Sequence, residues 1–399
     1  MMSFEDFCDA VAKDVVQYLP QQYQNAKTDL VKPEKVNIGM RTGVTFRIPQ
    51  STMAPVIYLN DYYAMMQNGK KTMGAVLDEI ARAGADGIRE MLSPSYEGLH
   101  PESLENWNLA KDKIYISAVG RMRNESLLQG IPHEDMGDFS CVYRLNPLDP
   151  SGEMGSVLIS NGMLNAYGIS QQELHERAVE NTLRDNPPRL NKISDIMQYA
   201  NAEAFGLDKD RQMMNLDRKN LLRDSFSAPQ PAAFGVREDT QAEKNWWESD
   251  PEEERAGKAD ERTEDEDDNQ DFDDEEVDRE MDLPLYVLTN HSLARGSGVV
   301  FLPGVLEAIQ KKMPEGFVVL PSSIHECMII SKNACGNVES LDTMVNEINA
   351  TQVSPEEQLS DFAHVYDADL KRLICPAMPQ LNIVKEVERS QNLAPDAVL

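Results

Sequence analysis

The stretch that decides the fold reads SCVYRLNPLDPSGEMGSVLISNGML and spans residues 140–164. Its two apolar runs, 140–145 and 156–160, flank a turn rich in proline, aspartate and glycine. This pattern predicts two strands joined as an antiparallel hairpin. The residues that follow, from Asn161, predict a helix. Because a hairpin has one apolar face that must be covered, we expect this helix to pack against it.

The same order of strand, strand and helix is predicted twice more. The first copy covers residues 44–59, and its helix begins near Asn60 and Asp61, whose side chains can cap it. The third copy has strands at 285–289 and 298–302 and a helix after them. We therefore predict an α+β fold of repeated strand–strand–helix units, with antiparallel hairpins covered by helices. A chance recurrence of a common arrangement is the alternative.

Further helices and one more hairpin are predicted outside these copies. Each helix combines apolar residues at helical spacing with a start or stop residue such as serine, threonine or proline. Three predicted helices cover residues 3–19, 72–83 and 341–348, and two more begin at Ser170 and Ser354. The further hairpin joins strands 317–320 and 327–330.

Negative charge is concentrated in one part of the chain. The 399 residues carry a formal net charge of −30, and residues 248–282 alone contain 20 acidic and 4 basic side chains. This acidic run has little apolar content, so burial cannot offset the entropy lost on ordering it. We therefore predict five segments: an N-terminal lobe (1–120), a middle lobe (121–224), a disordered acidic linker (225–282), a C-terminal lobe (283–378) and a loose tail (379–399).

The charge and the ends of the chain also restrict location and partners. The N-terminus is acidic and lacks the basic start and apolar run of a signal peptide, and no stretch approaches the length of about 20 apolar residues that crosses a bilayer. We expect a soluble, cytoplasmic protein. The negative charge argues against direct binding to nucleic acid or anionic lipid and favours a basic protein partner.

Metal and cofactor motifs are not found in the sequence. The five cysteines are scattered and predict buried free thiols. Asp267, Asn269 and Asp271 alternate as calcium ligands do, but Phe272 stands where the loop needs glycine. Three histidines precede a glutamate, and none has the second histidine of the metalloprotease motif. We therefore predict neither a metal nor a cofactor.

The connector between the predicted strands 317–320 and 327–330 is the strongest candidate site. Ser322, Ser323, His325 and Glu326 bring hydroxyl, imidazole and carboxylate groups within five residues. Such groups can form a nucleophile, base and orienting acid, but no glycine elbow surrounds either serine. We predict no catalytic residue, and we predict a ligand or partner contact at this connector. The other candidate contacts are Asn60, Asp61 and His133.

Three classes of function follow from these features. The first is a non-enzymatic protein-interaction module on a rigid α+β scaffold. The second is a hydrolase or ligand-processing enzyme with its site at the connector, which requires a pocket with convergent polar groups. The third is an acidic mimic of nucleic acid or an anti-defence protein, which requires ordered acidic residues spaced like phosphates.

Four phrases of the sequence resemble an uncharacterised bacterial family, the domain of unknown function DUF5688, which is common in gut Firmicutes. They are IYLND (residues 57–61), GISQQELH (168–175), LPSSIHE (320–326) and TQVSPEEQLSD (351–361). The resemblance covers most of the chain and implies no activity, cofactor or site residue. We predict that the acidic insertion, residues 237–282, distinguishes this chain from the usual member of the family.

Overall fold

The computed structural model describes residues 2–49, 51, 53–93, 101–152, 155–201, 208–226 and 285–382. These residues belong to one compact unit. The predicted acidic linker from residue 227 onward and the predicted tail from residue 383 onward lie outside the described residues. The five predicted segment boundaries stay a prediction. None of the described helices is both long and apolar enough to span a bilayer.

The N-terminal part combines three helices with a three-stranded sheet. Helix α1 begins after Ser3, whose Oγ accepts a hydrogen bond of 3.0 Å from Asp6 N, and a 3-10 turn extends it to Tyr18, just before Pro20. The elements are α1 (Phe4–Asp14), β1 (Lys27–Val31), β2 (Glu34–Lys35), β3 (Gly39–Met40), β4 (Gly43–Arg47), β5 (Val56–Tyr58), α2 (Asn60–Gln67) and α3 (Met73–Met91). The sheet has the order β1-β4-β5, which confirms the first predicted hairpin.

Helix α3 is longer than predicted because its apolar face continues. The buried residues of α3 run on to Ile88, and Gly84 lies under the ring of Phe46. A Cβ atom at Gly84 would lie 2.7 Å from that ring, so glycine permits the close approach of helix and sheet. The helix therefore covers the sheet through most of its length.

The middle part is a second antiparallel sheet. Its order is β6-β8-β7, and β9 also pairs with β8, which confirms the hairpin predicted from residues 140–160. Helix α7 begins after Ser170 as predicted, because Ser170 Oγ accepts a hydrogen bond of 3.1 Å from Glu173 N. The elements are α4 (Trp107–Ala110), β6 (Ile114–Gly120), α5 (Glu125–Leu128), β7 (His133–Met136), β8 (Phe139–Leu145), β9 (Val157–Leu158), α6 (Asn161–Tyr167) and α7 (Gln171–Asp185).

The third sheet has six antiparallel strands in the order β10-β11-β13-β12-β14-β15. Strands β12 and β13 form the predicted hairpin, and the predicted helix over 341–348 lies within α11. The elements are β10 (Pro188–Lys192), α8 (Ile193–Ala200), α9 (Lys209–Lys219), β11 (Leu285–Asn290), α10 (Val305–Lys312), β12 (Phe317–Pro321), β13 (Cys327–Ser331), α11 (Val338–Thr351), β14 (His364–Asp367) and β15 (Arg372–Ile374).

Two predicted elements are wrong. Of the predicted strand 298–302, residues 298–301 lie in a 3-10 helix, Gly296–Phe301, and Leu302 follows it; β11 pairs instead with β10 and β13. Gly298 packs so closely on β6 that an added Cβ atom would lie 2.8 Å from Ser117 Cα. This packing against β6 buries Val299 and Val300 although the segment forms no strand. The chain from Ser354 forms turns instead of a helix, because Gln358 Nε2 bonds to Asn349 O and Val353 O at the end of α11.

The antiparallel hairpins and the helices that cover them confirm the α+β class. The largest core cluster contains residues of the middle and third sheets, among them Tyr143 and Phe317, together with α7 and α10. A second cluster fills the N-terminal part around Phe46. Asn37 links the β2–β3 hairpin to the rest of the unit, because Asn124 Oδ1 accepts a bond of 2.7 Å from its backbone N–H. The internal repeat stays a prediction.

Candidate functional site

The connector from Ser322 to Glu326 joins β12 to β13 as a closed turn. The hydroxyls of Ser323 and Ser322 donate to Glu326 Oε1 at 2.9 and 3.2 Å. Ser323 Oγ also accepts a bond of 3.0 Å from the backbone N–H of His325. Serine hydroxyls commonly satisfy the groups of a turn in this way. Both hydroxyls are therefore committed to the carboxylate and the backbone of their own turn.

His325 faces a different set of groups. Its Nδ1 accepts a hydrogen bond of 3.1 Å from the backbone N–H of Arg295, and its Nε2 lies 3.7 Å from Glu357 Oε1. Because Nδ1 is an acceptor, the neutral ring carries its proton on Nε2. A serine nucleophile needs a hydrogen bond from its hydroxyl to the base, and the described contacts of His325 do not include one. The connector residues are therefore adjacent without forming a nucleophile–base pair.

The connector instead supports the loop that follows β11. Thr289 Oγ1 donates to His325 O at 2.8 Å, and Ser297 Oγ donates to Ile324 O at 2.7 Å. Together with the bond from Arg295 to His325, these contacts fix the loop on both sides. Ile324 N also donates to Glu357 O at 2.8 Å, which attaches the connector to the chain after α11. The predicted contact residues thus position a neighbouring loop.

Asn60 and Asp61 lie at the start of α2. Asn60 Oδ1 accepts a bond of 3.3 Å from Thr42 N, and Asp61 lies 3.6 Å from Arg41 Nη1. The residue that precedes α2 is Leu59, so neither side chain caps the helix as predicted. Both instead hold the end of the N-terminal sheet, and none of their described contacts reaches the connector.

His133 opens strand β7 and lines a cleft. The cleft has a volume of about 410 Å³, and its lining residues are Arg121, Met122, Glu125, Leu128, Gln129, His133, Asp135 and Leu381. His133 Nδ1 lies 3.0 Å from Ile131 O, and its Nε2 lies 3.9 Å from Asp135 Oδ1. The β7 cleft, as we call this set, combines apolar side chains with converging charged and polar groups, as ligand sites do.

The charged groups of the β7 cleft differ in how they are held. Asp135 accepts a bond of 2.7 Å from Ser140 Oγ and forms an ion pair of 3.1 Å with Arg121 Nε. Arg121 Nη1 also donates to Leu381 O at 3.1 Å. Glu125 is exposed and forms no ion pair with any of the described residues. The cleft thus holds one fixed carboxylate and one that is free to meet a ligand.

Sequence reasoning found His133 and missed its neighbours in the cleft. His133 and Asp135 alternate along β7 and therefore point to the same face of the sheet, a spacing that the sequence contains. Arg121 and Glu125 lie beyond β6, which was not predicted. No local pattern places residues near 121 and 125 beside residue 135.

Metal ligands do not converge within the described part of the chain, where no group of three or more His, Cys, Asp or Glu residues could hold an ion. The five cysteines are free thiols, as predicted, and four of them are buried. Burial raises the pKa of the Cys141 and Cys327 thiols, so they remain protonated. A protonated thiol is neither a nucleophile nor a good metal ligand.

Comparison with known proteins identifies a family. A family model described as "Family of unknown function (DUF5688)" matches residues 4–227 and 251–368. The match leaves out residues 228–250, so residues 237–250 of the predicted departure are unmatched, whereas residues 251–282 lie inside the matched range, which corrects the prediction there. No curated protein matches the chain, and no solved structure matches it.

Proposed function

The chain belongs to DUF5688, a family of unknown function, and on that premise we propose that it is a non-enzymatic module that binds a basic segment of a partner protein. The observation that carries this proposal is the β7 cleft, in which Glu125 has no described ion-pair partner. The partner segment presents a lysine or an arginine to this carboxylate.

The apolar side chains of the cleft suit the stem of a basic residue. Met122 and Leu381 line the cleft beside Glu125, and Met122 is 48% exposed. Lysine and arginine bury their aliphatic stems on apolar surface while the cation reaches a polar group. A lysine or arginine that packs on Met122 can therefore place its cation at Glu125.

Asp135 supplies a second, preorganised acceptor. The bonds from Ser140 and Arg121 fix its carboxylate before a ligand arrives. A carboxylate has about four acceptor positions, so two bonds leave capacity for a third donor. Since its geometry is set in advance, little entropy is lost when a partner cation binds.

Long-range charge supports the same kind of partner. The chain has a formal net charge of −30, to which residues 248–282 contribute more than half. Such a field attracts basic partners and accelerates their association at low ionic strength. At physiological salt the screening length is about 8 Å, so the cleft and not the field must hold the bound partner.

A labelled model peptide tests the proposal. The probe is fluorescent acetyl-LKLKLK-amide, whose binding is followed by fluorescence anisotropy, with acetyl-LELELE-amide as the oppositely charged peptide. We expect the lysine peptide to bind the wild type and Glu125→Lys to weaken it roughly tenfold, about 1.4 kcal/mol, because reversal removes a carboxylate and adds repulsion. The glutamate peptide is expected not to bind.

The matched control is Glu347→Lys, an exposed glutamate on α11. It changes the net charge by the same amount as Glu125→Lys, so both variants have equal long-range steering. We expect Glu347→Lys to keep wild-type affinity within about twofold, as surface charge changes usually have small effects. Equal weakening by the two variants would mean that the peptide responds to net charge alone and would contradict binding in the β7 cleft.

A further inference from the structure

Two arginines from distant parts of the chain meet in a narrow polar cleft. Arg144 lies on β8, and Arg295 lies in the loop between β11 and the 3-10 helix. Both line a space of about 20 Å³ together with serine and asparagine side chains, which are Ser117, Asn146, Ser151, Asn186 and Asn290. We call this set the two-arginine cleft.

Neither arginine of this cleft has an anionic partner within the described residues. Arg144 Nη1 donates to Ser156 Oγ at 3.1 Å, and its Nε is buried without a hydrogen-bond partner. Burial and the nearby charge of Arg295 lower the pKa of Arg144 to about 10, and burial lowers the pKa of Arg295. Two half-buried like charges repel each other and have lost part of their hydration. A bound anion would remove both penalties.

Arg295 is held in this position against its backbone preference. Its φ of 50° and ψ of 30° are left-handed, a conformation that is unfavourable for a residue with a side chain. The loop is fixed by His325, which accepts from Arg295 N, and by Asn290, whose side chain bonds to both Ala294 N and Ala294 O. These contacts thus hold Arg295 in a strained conformation that places its side chain beside Arg144. Strained backbone of this kind is common at ligand sites.

We propose that Arg144 and Arg295 bind the phosphate group of a small ligand. Guanidinium groups match phosphate oxygens in pairs, and two of them balance the charge of a dianion. The free space is about that of one water molecule, so one or two phosphate oxygens enter it and the rest of the ligand remains at its mouth. Asn146 also lines the cleft and has a buried Oδ1 without a donor, which the hydroxyl of hydrogen phosphate can supply.

The negative charge of the whole chain does not prevent this binding. More than half of that charge lies in residues 248–282, and only Arg144 is remote from them in sequence. Interactions between exposed charges fade over a screening length of about 8 Å at physiological salt. Partly buried charges in direct contact with an anion are screened much less, so the local pair decides the affinity.

Titration with inorganic phosphate tests this site in the full chain. Binding is measured calorimetrically at pH 7.5 and constant ionic strength, with chloride as the compensating anion and with sulfate as a second probe. We expect saturable binding of phosphate, and at least tenfold weaker binding to Arg295→Gln. Sulfate, which has no hydroxyl at this pH, is expected to bind more weakly than phosphate. The control variant is Arg89→Gln, an exposed arginine on α3 that pairs with Asp86, and it should bind phosphate like the wild type.

A second measurement separates loss of the site from loss of the fold. Without phosphate, Arg295→Gln is expected to raise the melting temperature, because it removes one of two repelling charges, and phosphate should no longer raise it further. Phenyl phosphate, which is a dianion without a hydroxyl on phosphorus at this pH, distinguishes the source of the group: equal or weaker affinity than inorganic phosphate assigns free phosphate, and tighter binding assigns a phosphorylated organic ligand. Absence of phosphate binding by the wild type, equal binding by Arg295→Gln, or sulfate binding as tight as phosphate would overturn the proposal.

Discussion

Replacing Gly120 by alanine is expected to destabilise the fold by about 4 kcal/mol or more, the largest effect we predict for a single methyl group. Gly120 ends β6, and an added Cβ atom would lie 1.9 Å from the carbonyl oxygen of Leu359. A flexible side chain can move away from such a contact, but this oxygen belongs to the backbone. The whole segment that contains Leu359 would therefore have to shift. Urea unfolding followed by circular dichroism measures the loss.

That segment has little freedom to shift, because side chains hold it from several directions. Asn349 Nδ2 donates to Ser360 O at 2.9 Å, and Asn37 Nδ2 donates to Gln358 O at 2.6 Å. Leu359 is itself fully buried. Moving this backbone breaks buried hydrogen bonds, each of which costs about 1–3 kcal/mol when a group is left unsatisfied.

Gly130→Ala is the matched control for Gly120→Ala. At Gly130 the nearest heavy atom to an added Cβ is Leu127 O at 3.5 Å, an ordinary contact distance. The same chemical change is therefore expected to alter the unfolding free energy by less than about 1 kcal/mol. Similar unfolding midpoints for the two variants would show that the approach of β6 to Leu359 is not tight.

The fold could be predicted where the sequence has a local signature. The hairpin of β12 and β13 has apolar runs around a turn, and α7 has a capping serine, so both were predicted. Strand β6 was not predicted, because IYISAVG is buried on both faces and lacks the alternation that marks a strand. The 3-10 helix at Gly296–Phe301 has the composition of a strand, and only its packing against Ser117 decides its form.

The residues of the candidate sites were harder to predict from local sequence than the fold was. His133 stood out because it is a rare residue in a polar pair, and the β7 cleft does contain it. Arg144 and Arg295 are separated by 150 intervening residues, and a single arginine carries no pattern. Their meeting depends on the loop geometry that His325 fixes. The connector that supports the loop could be predicted from the sequence, whereas the pairing of the two arginines could be seen only in the structure.

A buried polar network lies at the turn between β7 and β8. Asp138 Oδ1 accepts a bond of 2.9 Å from Met122 N, and its Oδ2 accepts one of 2.7 Å from Ser360 Oγ. Asp138 N donates to His364 Nε2 at 2.9 Å, and His364 Nδ1 lies 3.0 Å from Phe362 O. The ring of His364 stacks on Phe139 with centroids 4.2 Å apart. These contacts hold the imidazole in its neutral form, with the proton on Nδ1.

Protonation of His364 is expected to weaken the fold in acid. Burial lowers its pKa from 6.5 to about 4, so the folded state disfavours the charged ring. The resulting stability is fully present above pH 6.5, where the unfolded chain is also neutral, and it is lost as the pH falls towards 4. A depression of this size corresponds to about 3 kcal/mol. The pKa of Asp138 is raised, chiefly by burial, so its protonation changes stability in the opposite direction and must be separated.

Comparison of the wild type with His364→Gln makes that separation, because Asp138 is present in both proteins. At pH 7.5 the variant is expected to be less stable by roughly 3 kcal/mol, since it loses the ring packing and a buried hydrogen bond. As the pH falls from 6.5 to 4.5, the wild type alone gives up the contribution of the neutral imidazole, so the difference should shrink to about 1 kcal/mol or less. Urea unfolding of both proteins at half-unit pH steps in constant salt measures this difference in unfolding free energy. A difference that stays constant across this range would mean that His364 accepts its proton in the folded state as easily as in the unfolded chain, and that the stacked, hydrogen-bonded imidazole is not held neutral.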